Sequence, residues 1–295
     1  MRILVTGASG FVGFHCCAQL RALGYEVHAV SSKMQLSDKI HWHKVDLLDS
    51  NKSIELIQNV RPSHLLHLAW NVEPGNYWTS VQNYHWVKAS LTLFEQFAEA
   101  GGKRVVVAGS CAEYDWDYEV YNEETTPLDP ASLYGTCKHS LQLMLSSYAT
   151  LKGLSFAWGR IFSVYGPHEH PDRLCSSVIQ ALLCGQKVKC SNGALVRDYL
   201  HVSDVASSFA SLLVSDIQGP VNIGSGFGIK LRDIVGKIEG KIGNKGLLEI
   251  INEPRSLNEV PIIIADTTRL KNIGWKPIYD IDSGLDHTIS WFRNK

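Results

Sequence analysis

Arg2-Ile3-Leu4-Val5-Thr6-Gly7-Ala8-Ser9-Gly10-Phe11-Val12-Gly13 is the stretch that decides the fold. Its first five residues, largely apolar, predict a buried strand, Arg2–Thr6. The glycines that follow permit a tight turn and close approach of the backbone to a phosphate. A helix predicted over Val12–Leu23 then offers free N–H groups and the positive end of its dipole. A lone glycine pattern is weak, since an ordinary tight turn also explains it. Strand, glycines and helix in that order make a pyrophosphate cradle the better reading.

Outward from this stretch, short apolar strands alternate with amphipathic helices. Strands are predicted at Glu26–Ser31, His41–Lys44, His64–Leu68, Arg104–Gly109 and Ser155–Ile161. Helices are predicted at Ser53–Asn59, Asn83–Ala100 and Tyr134–Leu151. Regular alternation implies an α/β fold with a parallel, doubly wound sheet. Such sheets bind ligands outside the carboxyl ends of their strands. Further on, Tyr165–Pro171 reads as a loop and Cys175–Cys184 as a helix, with Gly193–His201 and the C-terminal tail as smaller capping elements. No repeat, low-complexity segment or linker interrupts the 295 residues. Two subdomains with interleaved chain crossings are therefore expected.

The formal net charge of -1 excludes an overall basic field, so neither nucleic acid nor membrane is an expected partner. Seven cysteines (Cys16, Cys17, Cys111, Cys137, Cys175, Cys184, Cys190) are odd in number and lack metal-ligand spacing. Adjacent Cys16 and Cys17 lie in a predicted helix, a poor geometry for a disulfide. Free thiols in a reducing compartment are expected. Met1-Arg2 leads straight into the first strand without the charged and apolar regions of a signal peptide. No apolar stretch is long enough to span a bilayer, so a cytoplasmic location is expected. His168 and His170 flank Glu169, and a His-x-His pair can bind metal. Nothing else in the pattern asks for one, and no metal is expected.

Tyr134-Gly135-Thr136-Cys137-Lys138 places a phenol and an ammonium at i, i+4, on one helix face. A phenol of ordinary pKa ~10 is a poor acid or base at neutral pH. A nearby positive charge stabilises the phenolate and lowers that value. Tyr134 could then give a proton to a carbonyl oxygen or take one from an alcohol. Alone, the pattern is common on surface helices. It gains weight from Gly109-Ser110-Cys111-Ala112-Glu113-Tyr114, where Ser110 ends a predicted strand.

With these motifs in place, the chain resembles the extended short-chain dehydrogenase/reductases, the NAD-dependent epimerase/dehydratase group that modifies nucleotide sugars. The resemblance covers nearly the whole chain. It implies a Rossmann-type sheet over residues 1–165, with residues 196–225 returning to it, and a smaller substrate-binding subdomain over 166–295. The Gly-x-x-Gly-x-x-Gly spacing of Gly7, Gly10 and Gly13 is the family's, and Ser9, Phe11 and Val12 join them at the dinucleotide. Asp46 and Leu47 follow the third strand, where the family bonds the adenine. Leu68, Ala69 and Trp70 end the fourth, where its backbone lies along the cofactor; Trp70 replaces a usual small residue and either lines the pocket or packs in the core. Ile161 ends the sixth. NAD-preferring members carry a carboxylate at the end of the second strand. Here stand Ser31, Ser32 and Lys33, which suit a 2′-phosphate. NADP(H) is therefore favoured, with NAD(H) possible.

On the resemblance, Ser110 orients the substrate oxygen, Tyr134 is the acid/base, and Lys138 holds the nicotinamide ribose and tunes Tyr134. Dehydrating members place an Asp-Glu pair directly after the catalytic threonine; here Cys111 and Ala112 occupy those places. Certain epimerising members use a cysteine where Ala112 stands. Cys111 borders the substrate, its thiol more consistent with packing. Ser163 replaces a frequent asparagine at the sugar diphosphate. Arg197, in Val196-Arg197-Asp198-Tyr199, is the matching diphosphate-binding arginine, with an internal Arg–Asp pair as the alternative. Arg255 is a looser match to a second one. Hydride transfer at one carbon remains: reduction of a 4-keto, 6-deoxy nucleotide sugar, or 4-epimerisation with retained NAD. A non-catalytic NADP-sensing protein is the alternative of another class. The family commonly pairs helices like Asn83–Ala100 and Tyr134–Leu151 in a homodimer.

Overall fold

The computed structural model describes residues 1–33, 40–191, 193–251 and 260–295. In chain order the first elements are β1 (Arg2–Thr6), α1 (Phe11–Ala22), β2 (Glu26–Ser31), β3 (His41–Lys44), α2 (Ser50–Val60), β4 (His64–His67), α3 (Gln82–Glu99) and β5 (Arg104–Ser110). A 3-10 turn (Cys111–Glu113) leads to β6 (Val120–Tyr121), α4 (Leu133–Lys152), β7 (Ser155–Ile161), β8 (Ser163–Tyr165) and α5 (Leu174–Leu183). Then come β9 (Val188–Cys190), β10 (Val196–His201), α6 (Val202–Val214), β11 (Gly219–Ile223), β12 (Gly228–Lys230) and α7 (Leu231–Ile242). The last are β13 (Leu248–Ile250), β14 (Ile262–Ala265), α8 (Thr268–Asn272) and α9 (Ile281–Arg293).

The chain forms two compact units. The first holds residues 1–115, 127–161 and 206–221; the second holds 116–126, 162–205 and 222–295. In the first unit the sheet order is β11-β7-β5-β4-β1-β2-β3. Every pair from β3 to β7 in this order is parallel. The order reverses between β1 and β4, the switch point at which doubly wound sheets bind ligands. The central strands read as unbroken apolar runs because both faces are covered: Ile3, Leu4 and Val5 are fully buried, as are Val105 and Val106.

The six strands read from sequence lie where expected, with β4 ending one residue early and β5 one residue late. Helix starts follow their caps. α2 begins at Ser50 rather than Ser53 because the Asp49 carboxylate accepts from Asn51 N (3.1 Å) and Lys52 N (3.3 Å). α4 begins at Leu133, where Ser132 Oγ accepts from Gly135 N at 3.1 Å, and ends at Gly153 in the left-handed conformation. Among the described residues no helix is long and apolar enough to cross a membrane, and none of the seven cysteines forms a disulfide.

A buried polar chain joins the ends of β1 and β4 to α3. Ser90 Oγ donates to Trp86 O (2.7 Å), so it accepts from His67 Nε2 (2.8 Å). His67 Nδ1 is then the acceptor for Thr6 Oγ1 (2.7 Å), which itself accepts from Leu68 N and Ala69 N, each at 3.2 Å. Only a neutral imidazole fits this chain.

In the second unit β10 is central: β12 pairs with it antiparallel, and β14 and β8 pair with it in parallel. β6 pairs with β14, while β9 and β13 form a separate parallel pair. α5, α7 and α9 bury Val178, Ile179, Leu182, Ile234, Ile238 and Leu285 together.

Burial, then the charge of Lys138, pushes the His67 pKa down to about 3. The unfolded chain therefore binds a proton below the ordinary value of 6.5 that the folded chain refuses. His67's contribution is full above pH 6.5 and is lost as pH falls toward 3, at up to about 1.4 kcal/mol per pH unit. Urea unfolding across this window should show that slope, and His67→Asn should flatten it relative to wild type.

Candidate active site

The turn after β1 is built from contacts that only glycine permits. Gly7 has φ +67, and a Cβ there would lie 2.8 Å from Ala69 N. A Cβ on Gly13 would lie 2.1 Å from Gly7 O, so α1 packs directly on the turn. Gly10 caps α1 without any side-chain hydrogen bond, and Phe11 and Val12 form its first turn. The first amides of the helix thus keep their donors for an anion. This cradle fits the pyrophosphate of a dinucleotide.

At the end of β2, Ser31 is buried and its hydroxyl is engaged. It lies 2.9 Å from Ser9 Oγ and accepts from Lys33 N at 3.1 Å, which ties the strand end to the glycine turn. Ser32 and Lys33 are exposed beside it. Asp46 is exposed after β3 and accepts from Leu48 N at 3.0 Å, while Leu47 is buried. Leu68 and Ala69 run past the glycine turn under the Thr6 hydroxyl. His67, Thr6 and Ser90 shape this ledge and were not among the site residues read from sequence. A histidine inside an otherwise apolar strand was the available signal.

Ser110 closes β5, opposite Ile161 of β7. Its hydroxyl faces the Tyr134 phenol and acts to lower the phenol pKa. Two close packings bring these residues together. A Cβ on Gly135 would lie 2.2 Å from Ala112 O, so α4 rests on the turn after Ser110. The Tyr134 amide donates to Trp78 O at 3.1 Å. Tyr77, Trp78 and Trp70 wall the phenol at ring separations of 4.9, 5.7 and 6.4 Å.

Lys138 is buried on the same helix face and donates to Ala108 O at 2.9 Å. Its ammonium sits 3.8 Å above the Trp70 ring, a cation–π contact. Trp70 is fixed in turn by Asn83 Oδ1, 2.8 Å from its Nε1, and it stacks on Trp86. The tryptophan thus packs in the core and borders Lys138 at once. Burial pulls the Lys138 pKa down to about 7, with Glu113 acting in the opposite sense. The lowering of the phenol pKa expected from the Tyr-x-x-x-Lys spacing does not offset the effect of burial. Burial raises the Tyr134 pKa, and the Ser110 hydrogen bond only partly offsets it. The ammonium is turned to Ala108 and Trp70, so desolvation dominates.

Beneath Ser110 lies a fully buried ion pair, Glu113 Oε2 to Arg160 Nε at 2.8 Å. The same carboxylate accepts from Ser110 N (2.7 Å) and from Trp158 Nε1 (2.9 Å). Gly109 leaves the room: a Cβ there would lie 2.1 Å from Trp158 Nε1. Arg160 also donates to Tyr114 Oη at 3.1 Å. Cys111 is half-buried at the start of the turn. Glu113 and its partners are the main feature absent from the sequence reading.

The expected substrate-side residues lie in the second unit. Ser163 pairs with Tyr199 across β8 and β10. Arg197 donates to the carbonyls of Val196 (2.7 Å) and Val260 (2.9 Å). Asp198, on the opposite face of the strand, accepts from Ser225 N (2.7 Å), Gly226 N (2.9 Å) and Ala265 N (3.1 Å). Its carboxylate is committed to these amides and to the Ser225 hydroxyl, which donates to it at 2.6 Å. His168 packs on Trp291, and His170 Nδ1 accepts from Asp172 N. Arg255 lies outside the described residues.

A glycine-cradled Rossmann-type sheet with Ser110 at the end of β5 and Tyr134 and Lys138 on α4 beside it defines an extended short-chain dehydrogenase/reductase. The NAD dependent epimerase/dehydratase family model matches residues 3–224, and the chain belongs to that family. UDP-glucuronic acid decarboxylase 1 of Xenopus tropicalis is 26% identical over 309 residues, covering 100% of this chain and 72% of that protein. The structure of UDP-glucose 4-epimerase from Thermotoga maritima with UDP-glucose superposes with a TM-score of 0.90. Its identity is 26%, over 100% of this chain and 99% of that one. UDP-glucose 4-epimerase from Thermus thermophilus in complex with NAD gives 0.86 at 26% identity, covering 99% of each chain.

Glu113→Gln should strand the Arg160 guanidinium in the interior, a change that costs about 3–5 kcal/mol. The double variant Glu113→Gln/Arg160→Met should recover much of that loss, because no buried charge then lacks a partner. Thermal melting of both variants checks this; a Glu113→Gln protein that melts like wild type would contradict the buried pair.

Proposed function

We propose that the chain transfers hydride between a nicotinamide dinucleotide and one ring carbon of a nucleotide sugar. Its net reaction is NADPH-dependent reduction of a 4-keto, 6-deoxy nucleotide sugar. The grouping of Ser110, Tyr134 and Lys138, with Cys111 and Ala112 where an eliminating enzyme needs two carboxylates, carries this reading. Exposed Ser32 and Lys33 beside the glycine turn support the NADP(H) preference.

When bound, the dinucleotide supplies the hydride. The chain's residues handle the proton. Ser110 Oγ donates to the substrate oxygen and orients it toward the phenol. Tyr134 Oη gives its proton to that oxygen as negative charge develops there. Burial keeps the Tyr134 phenol protonated, and nearby positive charge is what would ease release of that proton. Lys138 is assigned to the ribose and, when protonated, places positive charge beside the reaction. Gly7, Gly10 and Gly13 hold the pyrophosphate, Asp46 and Leu47 the adenine, and Leu68, Ala69, Trp70 and Ile161 border the cofactor. Ser163, Arg197 and Arg255 are assigned to the sugar diphosphate.

The second reading is 4-epimerisation with retained NAD, favoured by the two 4-epimerase structures that this fold matches. A homodimer through α3 and α4 accompanies either reading. Those helices pack together and leave Tyr84, Leu143, Met144 and Leu151 exposed.

The test uses NADPH deuterated at the nicotinamide C4 with a panel of 4-keto nucleotide sugars. One deuterium should enter the sugar for each NADPH consumed, and Tyr134→Phe should slow the reaction roughly 10²–10⁴-fold. Interconversion of 4-epimers without net NADPH consumption selects the epimerase, and full activity of Tyr134→Phe refutes both.

A further inference from the structure

We propose that Glu26, His28 and His41 form a binding site for a zinc-type divalent cation, with His43 holding the His28 ring in its ligating orientation. Strand pairing assembles this cluster. Glu26 and His28 are two apart on β2 and project from one face. β3 runs parallel to β2 and sets His41 opposite His28. Their rings stack with centroids 4.8 Å apart. Ligand atoms of Glu26, His28 and His41 all lie within 4.8 Å of one another. No linear motif announces the site, because its ligands come from two strands.

Hydrogen bonds orient the His28 ring within the cluster. His28 Nε2 stands 3.0 Å from Glu26 Oε1, and His28 Nδ1 lies 2.9 Å from His43 Nε2. His28 Nε2 thus faces the carboxylate, and a divalent cation that displaced the proton between them would be shared by the nitrogen and the carboxylate oxygen. Metal-ligating histidines characteristically have their second nitrogen fixed in this way.

Two imidazoles and a carboxylate suit zinc. Glu26 and His41 are exposed, so water completes the coordination. Arg2 Nε, 2.9 Å from Glu26 Oε1, competes for the carboxylate and makes the site weaker than a closed structural one. Glu26 and His41 are the first residues of β2 and β3, whereas the glycine turn and Ser31 lie at carboxyl ends. The ion therefore acts on the sheet edge and takes no part in hydride transfer.

The test uses the untagged full-length chain, stripped with a chelator and titrated with Zn²⁺ against a fluorescent indicator. One Zn²⁺ per chain with a micromolar dissociation constant is expected. His41→Gln and Glu26→Gln, both surface changes, should abolish that uptake, as should His28→Gln. His43→Gln should weaken it roughly tenfold or more, while His85→Gln, an exposed histidine elsewhere, should leave it unchanged. Circular dichroism confirms that each variant is folded. Absence of micromolar zinc uptake by wild type, or wild-type uptake by folded His41→Gln and Glu26→Gln, overturns the proposal.

Discussion

The Glu113 carboxylate is the constraint on which the rest of the first unit's site depends. It is sealed from solvent and takes hydrogen bonds from the Ser110 amide, the Trp158 indole and the Arg160 guanidinium. A buried charge of this kind is tolerable only when its acceptors are filled. The pair therefore fixes the strand end in one geometry, and Ser110 with it. Gly109 and Gly135 are the steric counterparts: a single Cβ would strike the Trp158 indole at the first and Ala112 O at the second. Helix, turn and strand are held together by one electrostatic and two steric requirements.

Burial also sets the acid–base character of the site. Lys138 is stripped of water, and its pKa comes down to about 7. The Tyr134 phenol is walled by aromatic rings and moves up. These opposite shifts follow from one cause, since desolvation favours the neutral form of both groups. The Trp70 ring under the Lys138 ammonium offsets part of the cost of burying that charge.

Much of the fold was legible in sequence because β1, β2, β4, β5 and β7 are apolar runs between helical periods. Short strands such as β6, β8 and β12 were not, since two or three residues carry no periodicity. At the site, the Tyr134–Lys138 spacing correctly placed both groups on one buried helix face. Spacing could not say that Lys138 turns to Ala108 and Trp70. Nor could it reveal Glu113's role, whose partners Trp158 and Arg160 lie 45 and 47 residues further on. Arg197 and Asp198 look like an ion pair in one dimension, yet strand alternation sends them to opposite faces. The serines at the end of β2 were readable as residues, while the use of Ser31 to lock the glycine turn required the three-dimensional contact.

The NADP(H) preference proposed for Ser32 and Lys33 is what separates net reduction from epimerisation. It is tested most directly without any substrate. The purified chain is denatured in acid and any released dinucleotide is identified by chromatography. NADP(H), or an empty site that then binds added NADPH in preference to NADH, is the predicted result. Stoichiometric NAD(H) would contradict the assignment of Ser32 and Lys33 and mark the chain as an epimerase that retains its cofactor.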